Sequence, residues 1–240
     1  MARWLFILLF LAATTPATAQ WNDDAEQCRR LVRAKGDPDE RLRICTRAIE
    51  SGDLTNSNLA ATYSNRGTAY YDKGDFERAI ADFDKSLELY PGYIDALMNR
   101  AMAYGMAGDH ERSIADFDAV IAREPGAAQA YNGRCYSLAL AGKAAGAIED
   151  CNRALALAPN TPYILDSRAY AYLRAGDFRR ALADYDLILQ LEPRNAAALY
   201  GRGIARLRLG RAEEGQQDLA AARAADASID AAMLKIGLAP

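Results

Sequence analysis

Apolar residues recur at three- and four-residue spacing in paired segments, each pair flanking a glycine. In the first complete pair the segments are about Ala60–Lys73 and Phe76–Leu89, each long enough for roughly four helical turns. Gly74-Asp75 interrupts the pattern between them, as glycine does when it closes a helix in the left-handed conformation. Pro91 ends the second segment, because it has no N–H with which to continue a helical ladder. The predicted unit is an αα-hairpin. It recurs: Gly74, Gly108, Gly142, Gly176 and Gly210 stand 34 residues apart, as do Pro91, Pro125, Pro159 and Pro193. A fixed period of this length predicts an all-α array of stacked hairpins, with function on a repeated surface.

Aligned on that period, one column is small (Gly67, Ala101, Cys135, Ala169, Gly203) and a second, sixteen residues later, is mostly large (Phe83, Phe117, Cys151, Tyr185, Leu219). Small against large lets the two helices of a hairpin approach and interdigitate. Tyr63, Tyr70, Tyr104, Tyr131 and Tyr172 lie near the small column and are expected in the same seam. The run Asn65-Arg66-Gly67-Thr68-Ala69-Tyr70-Tyr71, followed by Gly74-Asp75-Phe76, Ala79-Ile80 and Pro91, resembles the tetratricopeptide repeat, as do its copies from Asn99, Ser167 and Gly201. The resemblance implies a right-handed superhelical solenoid with five units, 60–93, 94–127, 128–161, 162–195 and 196–229. The pattern weakens in the last unit, where Gln216 and Ala227 replace the usual apolar residue and proline. Residues 230–240, with Met233, Leu234 and Ile236, read as a capping helix and tail. Residues 20–59 read as a degenerate capping repeat around Gly36-Asp37, and a polar loop over Gly52–Asn58 is expected to absorb four residues beyond the period.

Two charged columns recur in every unit: Arg66, Arg100, Arg134, Arg168 and Arg202, and Asp82, Asp116, Asp150, Asp184 and Asp218. Their helical spacing places both beside the apolar stripe, where a charge must be paired. A ladder of structural ion pairs is therefore expected, rather than a row of arginines that grips an anion. The spacing leaves open whether each pair closes within a repeat or between repeats.

Four cysteines form an even set. Cys135 and Cys151 replace both partners of one small–large pair, and Cys28 and Cys45 straddle Gly36 similarly. Two helix-to-helix disulfides, Cys28–Cys45 and Cys135–Cys151, are predicted, with buried free thiols as the alternative. Without a C-x-x-C pair and with one histidine, His110, no metal site and no histidine-based triad is expected. The first residues agree with an oxidising compartment: Arg3, an apolar run Trp4–Ala13, Pro16 and Ala17-Thr18-Ala19 read as a signal peptide cleaved after Ala19. The expected location is the periplasm, with no stable membrane insertion after cleavage.

A net charge of −3 gives no basic excess to attract nucleic acid. No nucleophile–base pair or phosphate-cradling glycine loop is present, so the chain reads as non-enzymatic and without cofactor. In the resembled family the first helix of each unit lines a concave groove. The matching positions are Ser64, Thr68, Tyr71, Met98, Met102, Met106, Asn132, Tyr136, Leu140, Tyr163, Asp166, Tyr170, Arg174, Tyr200, Ile204 and Arg208. Asn65 and Asn99 match the family's carboxylate clamp but its lysines are missing, so an apolar partner peptide or helix is the expected ligand. The resemblance thus implies a protein-interaction scaffold or adaptor of the cell envelope. A self-assembling module and an accessory subunit of an envelope enzyme are the alternatives.

Overall fold

The computed structural model describes residues 22–240, whose regular elements are all helical. Six antiparallel hairpins follow one another: α1 (Asp23–Arg33) with α2 (Pro38–Glu50), α3 (Asn56–Asp72) with α4 (Phe76–Leu89), α5 (Ile94–Met106) with α6 (His110–Arg123), α7 (Ala128–Leu140) with α8 (Ala144–Leu157), α9 (Pro162–Ala175) with α10 (Phe178–Leu191), and α11 (Ala196–Arg208) with α12 (Ala212–Ala225). A short α13 (Ile229–Lys235) closes the array. Each helix packs on its hairpin partner and on the next hairpin, which makes the fold a solenoid of the tetratricopeptide type. Among the described residues no helix is long and apolar enough to cross a membrane. The expected leader and its Ala19 cleavage point lie outside the described residues.

Turn chemistry explains the sharp hairpins. Gly74 and Gly108 take φ of +76° and +85°, a region any side chain would strain. The aspartate that follows caps the next helix: the Asp75 and Asp109 carboxylates accept from the backbone N–H of Arg78 and Arg112 at 3.1 and 3.0 Å. Lys143 and Arg211 occupy the corresponding position without such a bond.

The four residues beyond the period are not a loop. Helix α3 begins at Asn56 and has 17 residues, against 13 in α5 and α7, so the excess forms one additional helical turn. At the turn between α1 and α2 the left-handed residue is Lys35, φ +50°, one position before Gly36.

The seam follows the small and large columns. A Cβ on Gly67 would stand 2.8 Å from the Phe83 ring, and one on Gly203 would stand 3.0 Å from Leu219. Within the α7–α8 hairpin the same two positions are joined as Cys135–Cys151, Cα atoms 5.5 Å apart, and Cys28–Cys45 joins α1 to α2 at 5.0 Å. Phe117 and Tyr185 also reach forward into the next hairpin. Their rings lie where a Cβ on Gly133 or Gly201 would be, at 2.2 Å in both cases. Those glycines stand where other repeats carry Asn65, Asn99 and Ser167.

Each arginine of the charged column bridges two hairpins. Arg100 donates from Nε and Nη2 to Asp116 of its own hairpin, both at 2.7 Å, and from Nη1 to Asp84 of the preceding one at 2.6 Å. Arg134 repeats this with Asp150 and Asp118, and Arg202 with Asp218 and Asp186. Arg168 pairs with Asp184 and reaches back to Asn152, while Arg66 pairs with Asp82 and reaches back to Thr46. Each arginine thus holds a partner sixteen residues after it, and all but Arg66 hold one sixteen residues before, Thr46 lying twenty residues before Arg66. The inner aspartates are buried and the outer ones half-exposed or exposed. The hydrogen-bonded carboxylates raise the pKa of Arg100 and Arg134 further above the guanidinium range, against the opposing effect of burial.

Candidate functional site

The concave surface comes from the odd-numbered helices α3 to α9, and it contains two adjoining hollows. The first, about 590 Å³, is lined by Ser64, Asn65 and Thr68 of α3, Met98, Asn99 and Met102 of α5, Asn132 of α7 and Tyr163 of α9, with Val32 of α1 at its edge. The second, about 350 Å³, is lined by Tyr71, Met102, Met106, Asn132, Tyr136, Ser137, Tyr163 and Asp166. Met102, Phe117, Asn132, Gly133 and Tyr163 border both, so the two form one groove. Gly133 shapes its floor. Without a side chain there, the buried Phe117 ring rises between α5 and α7 to line the surface.

Large apolar groups remain open in this groove. Met102, Met106 and Tyr163 are 39%, 58% and 50% exposed, whereas the other large apolar side chains of the first helices are buried or half-buried. Thr68 is half-buried and donates its hydroxyl to the Ser64 carbonyl at 3.0 Å. Tyr71 and Tyr136 are half-buried along the wall, with Tyr71 against Phe76 at 5.5 Å between ring centres.

The C-terminal end differs from an open wall. Tyr170 and Tyr200 are 2% and 1% exposed, and Ile204 is buried as well. The tail after α13 covers Tyr170: its hydroxyl donates to the Ile236 carbonyl at 2.7 Å, and Met233, Ile236 and Leu238 pack beside it. Asp230 of α13 lies against the Tyr200 hydroxyl while paired with Arg223 at 2.7 Å. Tyr170 and Tyr200 therefore anchor the chain's own terminus. Arg174 is exposed and reaches the Tyr170 hydroxyl at 3.5 Å; Arg208 is exposed but lines neither hollow, and Leu140 is half-buried outside both.

Two polar groups on the groove floor have no partner. The Asn132 side-chain oxygen is buried and accepts no hydrogen bond among the described residues. The half-buried Asp166 carboxylate likewise has neither hydrogen bond nor ion pair there, and burial alone pushes its pKa up to about 6. Burial also lifts the neighbouring Tyr136 hydroxyl to about 12, with the charges of Tyr170 and Asp166 adding to the effect. No group of three or more metal-ligating side chains that could hold an ion occurs among the described residues.

Spacing alone did not single out the outer acceptors Asp84, Asp118, Asn152 and Asp186, although they too stand 34 residues apart. Gly133 and Gly201 were likewise missed. The signal was the loss of a polar side chain at a position that is Asn or Ser in the other repeats.

Known proteins agree with this architecture. Tetratricopeptide-repeat family profiles match residues 60–93, 98–162 and 167–233. Among solved structures, a tetratricopeptide repeat protein from Parabacteroides merdae superposes with a TM-score of 0.70 at 17% identity, over 89% of this chain and 88% of that one. A MamA crystal structure gives 0.58 at 21% identity over 75% and 97% of the two chains. YrrB, described as a TPR protein with an unusual peptide-binding site, gives 0.56 at 20% identity over 81% and 98%. Comparison with curated proteins finds no match.

Proposed function

Because the chain belongs to the tetratricopeptide-repeat family, we propose that it is a protein-interaction scaffold that holds a segment of a partner protein in the groove between α3 and α9. One observation carries this reading: the solvent-exposed side chains of Met102, Met106 and Tyr163 converge on a single hollow instead of being scattered over the surface. Methionine adapts to irregular apolar partners, and tyrosine supplies a flat face with a polar tip. A deep, half-polar groove suits an extended or helical peptide. The peptide-binding site named for YrrB, a protein of the same fold, supports the reading by analogy.

Two disulfides and an apolar N-terminal run support a periplasmic location, in which the scaffold would serve envelope proteins. Crosslinked capture from the cell envelope tests the function. Wild-type chain is expected to retain partners that a Met102→Glu/Tyr163→Ala variant loses. Equal recovery by both would remove the groove from the account, and a product of twice the chain mass alone would point to self-assembly.

A further inference from the structure

The groove described above is rich in acceptors and lacks cations. Asp95 and Asp166 line it with carboxylates, and Asn65, Asn99 and Asn132 line it with amides, but no lysine or arginine borders either hollow. This contrasts with the rest of the molecule. Elsewhere the carboxylates of the helices pair with arginines at every level of the ladder, and Arg41, Arg47 and Lys73 pair with Asp72, Asp24 and Asp39 at the N-terminal end. Asp166 stands apart from this pairing.

The position of Asp166 is equally specific. It sits between the open 350 Å³ hollow and a small space of about 40 Å³ beneath the C-terminal tail. The titratable groups that line these two spaces with it are all phenols: Tyr71 from α3, Tyr136 from α7, Tyr163 and Tyr170 from α9, and Tyr185 from α10. Arg174 reaches the Tyr170 hydroxyl at 3.5 Å without lining either space, and α13 and the tail contribute only Met233, Ile236 and Leu238. The Tyr136 and Tyr170 rings lie 5.6 Å apart beside it. A second acceptor without a donor, the Asn132 side-chain oxygen, lines the same hollow. A half-buried carboxylate and a buried amide oxygen with no donors are costly unless a ligand supplies them. Aromatic faces beside such a pair favour a cation that can stack as well as donate.

We propose that Asp166 and Asn132 form a subsite for a cationic side chain, arginine or lysine, projecting from an otherwise apolar partner segment. The inference rests on the groove reading above and adds to it a charge preference. The guanidinium or ammonium group would donate to the Asp166 carboxylate and the Asn132 oxygen, while its stem and the flanking apolar residues cover Met102, Met106 and Tyr163. The unusual proton affinity of Asp166 agrees with a carboxylate awaiting such a partner, because a bound cation restores the ionised form.

The test uses the full mature chain and four pools of fluorescent nonapeptides. Each pool is fixed at its central residue as Arg, Lys, Gln or Glu and randomised over Leu, Met, Phe, Ala and Ser at the flanks. Polarisation at pH 7.5 is expected to show the Arg and Lys pools bound at least tenfold more tightly than the Gln pool, with the Glu pool weakest. In Asp166→Asn the ratio of Arg to Gln affinity should fall to about one. The Arg-pool affinity of the wild type should also weaken several-fold between pH 7.5 and pH 5, while the Gln pool stays constant. If the pools bind without charge preference, or if the preference survives in Asp166→Asn, the cation subsite is wrong and the groove reading stands. If no pool binds the wild type, both fall.

Discussion

Replacing Arg100 by alanine probes the ladder at a level with no disulfide. The change removes the bidentate donor to Asp116, 2.7 Å from both guanidinium nitrogens, and leaves that aspartate 7% exposed with its ion pair gone. An uncompensated buried carboxylate of this kind costs about 3–5 kcal/mol. The outer partner gives an internal control. Asp84 is 42% exposed at its side chain, so Asp84→Ala removes only the third hydrogen bond and is expected to cost no more than about 1 kcal/mol. Asp116→Ala should fall between the two, because Arg100 keeps Asp84 and partial contact with water. Urea unfolding followed by circular dichroism gives the order of stabilities. Hydrogen exchange localises the loss, which in a repeat array should centre on α4 to α6. Equal costs for Arg100→Ala and Asp84→Ala would refute the distinction between inner and outer partners.

Gly133→Ala should destabilise by about 1–3 kcal/mol, since its new Cβ would overlap the Phe117 ring, and Phe117→Leu in the same chain should recover part of the loss. Urea midpoints of the two single variants and the double variant check this; strictly additive losses would contradict it. Cys135→Ala/Cys151→Ala is expected to lower stability by roughly 3 kcal/mol, as opening a closed loop of this length does, and unreduced wild-type chain should take up no alkylating reagent by intact mass. The pH dependence of Asp166 has a definite sign. Its raised pKa means that the folded chain holds the proton more tightly than the unfolded one, so its stabilising contribution is complete below about pH 4 and lost as pH rises to about 6. Asp166→Asn should therefore gain up to about 3 kcal/mol over wild type at pH 7.5 and nothing near pH 4, which paired urea titrations would show.

Much of the scaffold is written in the period itself. Gly74 and its copies punctuate the hairpins because only that backbone conformation reverses the chain so tightly, and small residues face large ones because helix approach demands it. The arginine column is visible as a column, yet its dual pairing is not, because contacts sixteen residues backward depend on how one hairpin stacks upon the last. The additional turn of α3 was hidden by composition: Asn56, Ser57 and Asn58 resemble loop residues, and tertiary packing overrides their weak helical preference. The groove was legible as a set of helix positions from α3 to α9. Which of them face solvent was not, because the tail that buries Tyr170 and Tyr200 returns from 66 residues beyond Tyr170. Asp166 belongs to the same class, since a side chain is left without a partner only by three-dimensional arrangement.

A photocrosslinking residue placed singly at Met106 or Tyr163 on the concave face, and at Leu187 or Leu191 on the second helix of a hairpin, tests the central claim most directly. All four positions are exposed, between 41% and 58%, so exposure does not separate them. The account predicts one and the same partner adduct from Met106 and Tyr163 in the cell envelope and none from Leu187 or Leu191. Adducts from the two leucines alone, or equal adducts from all four positions, would contradict it.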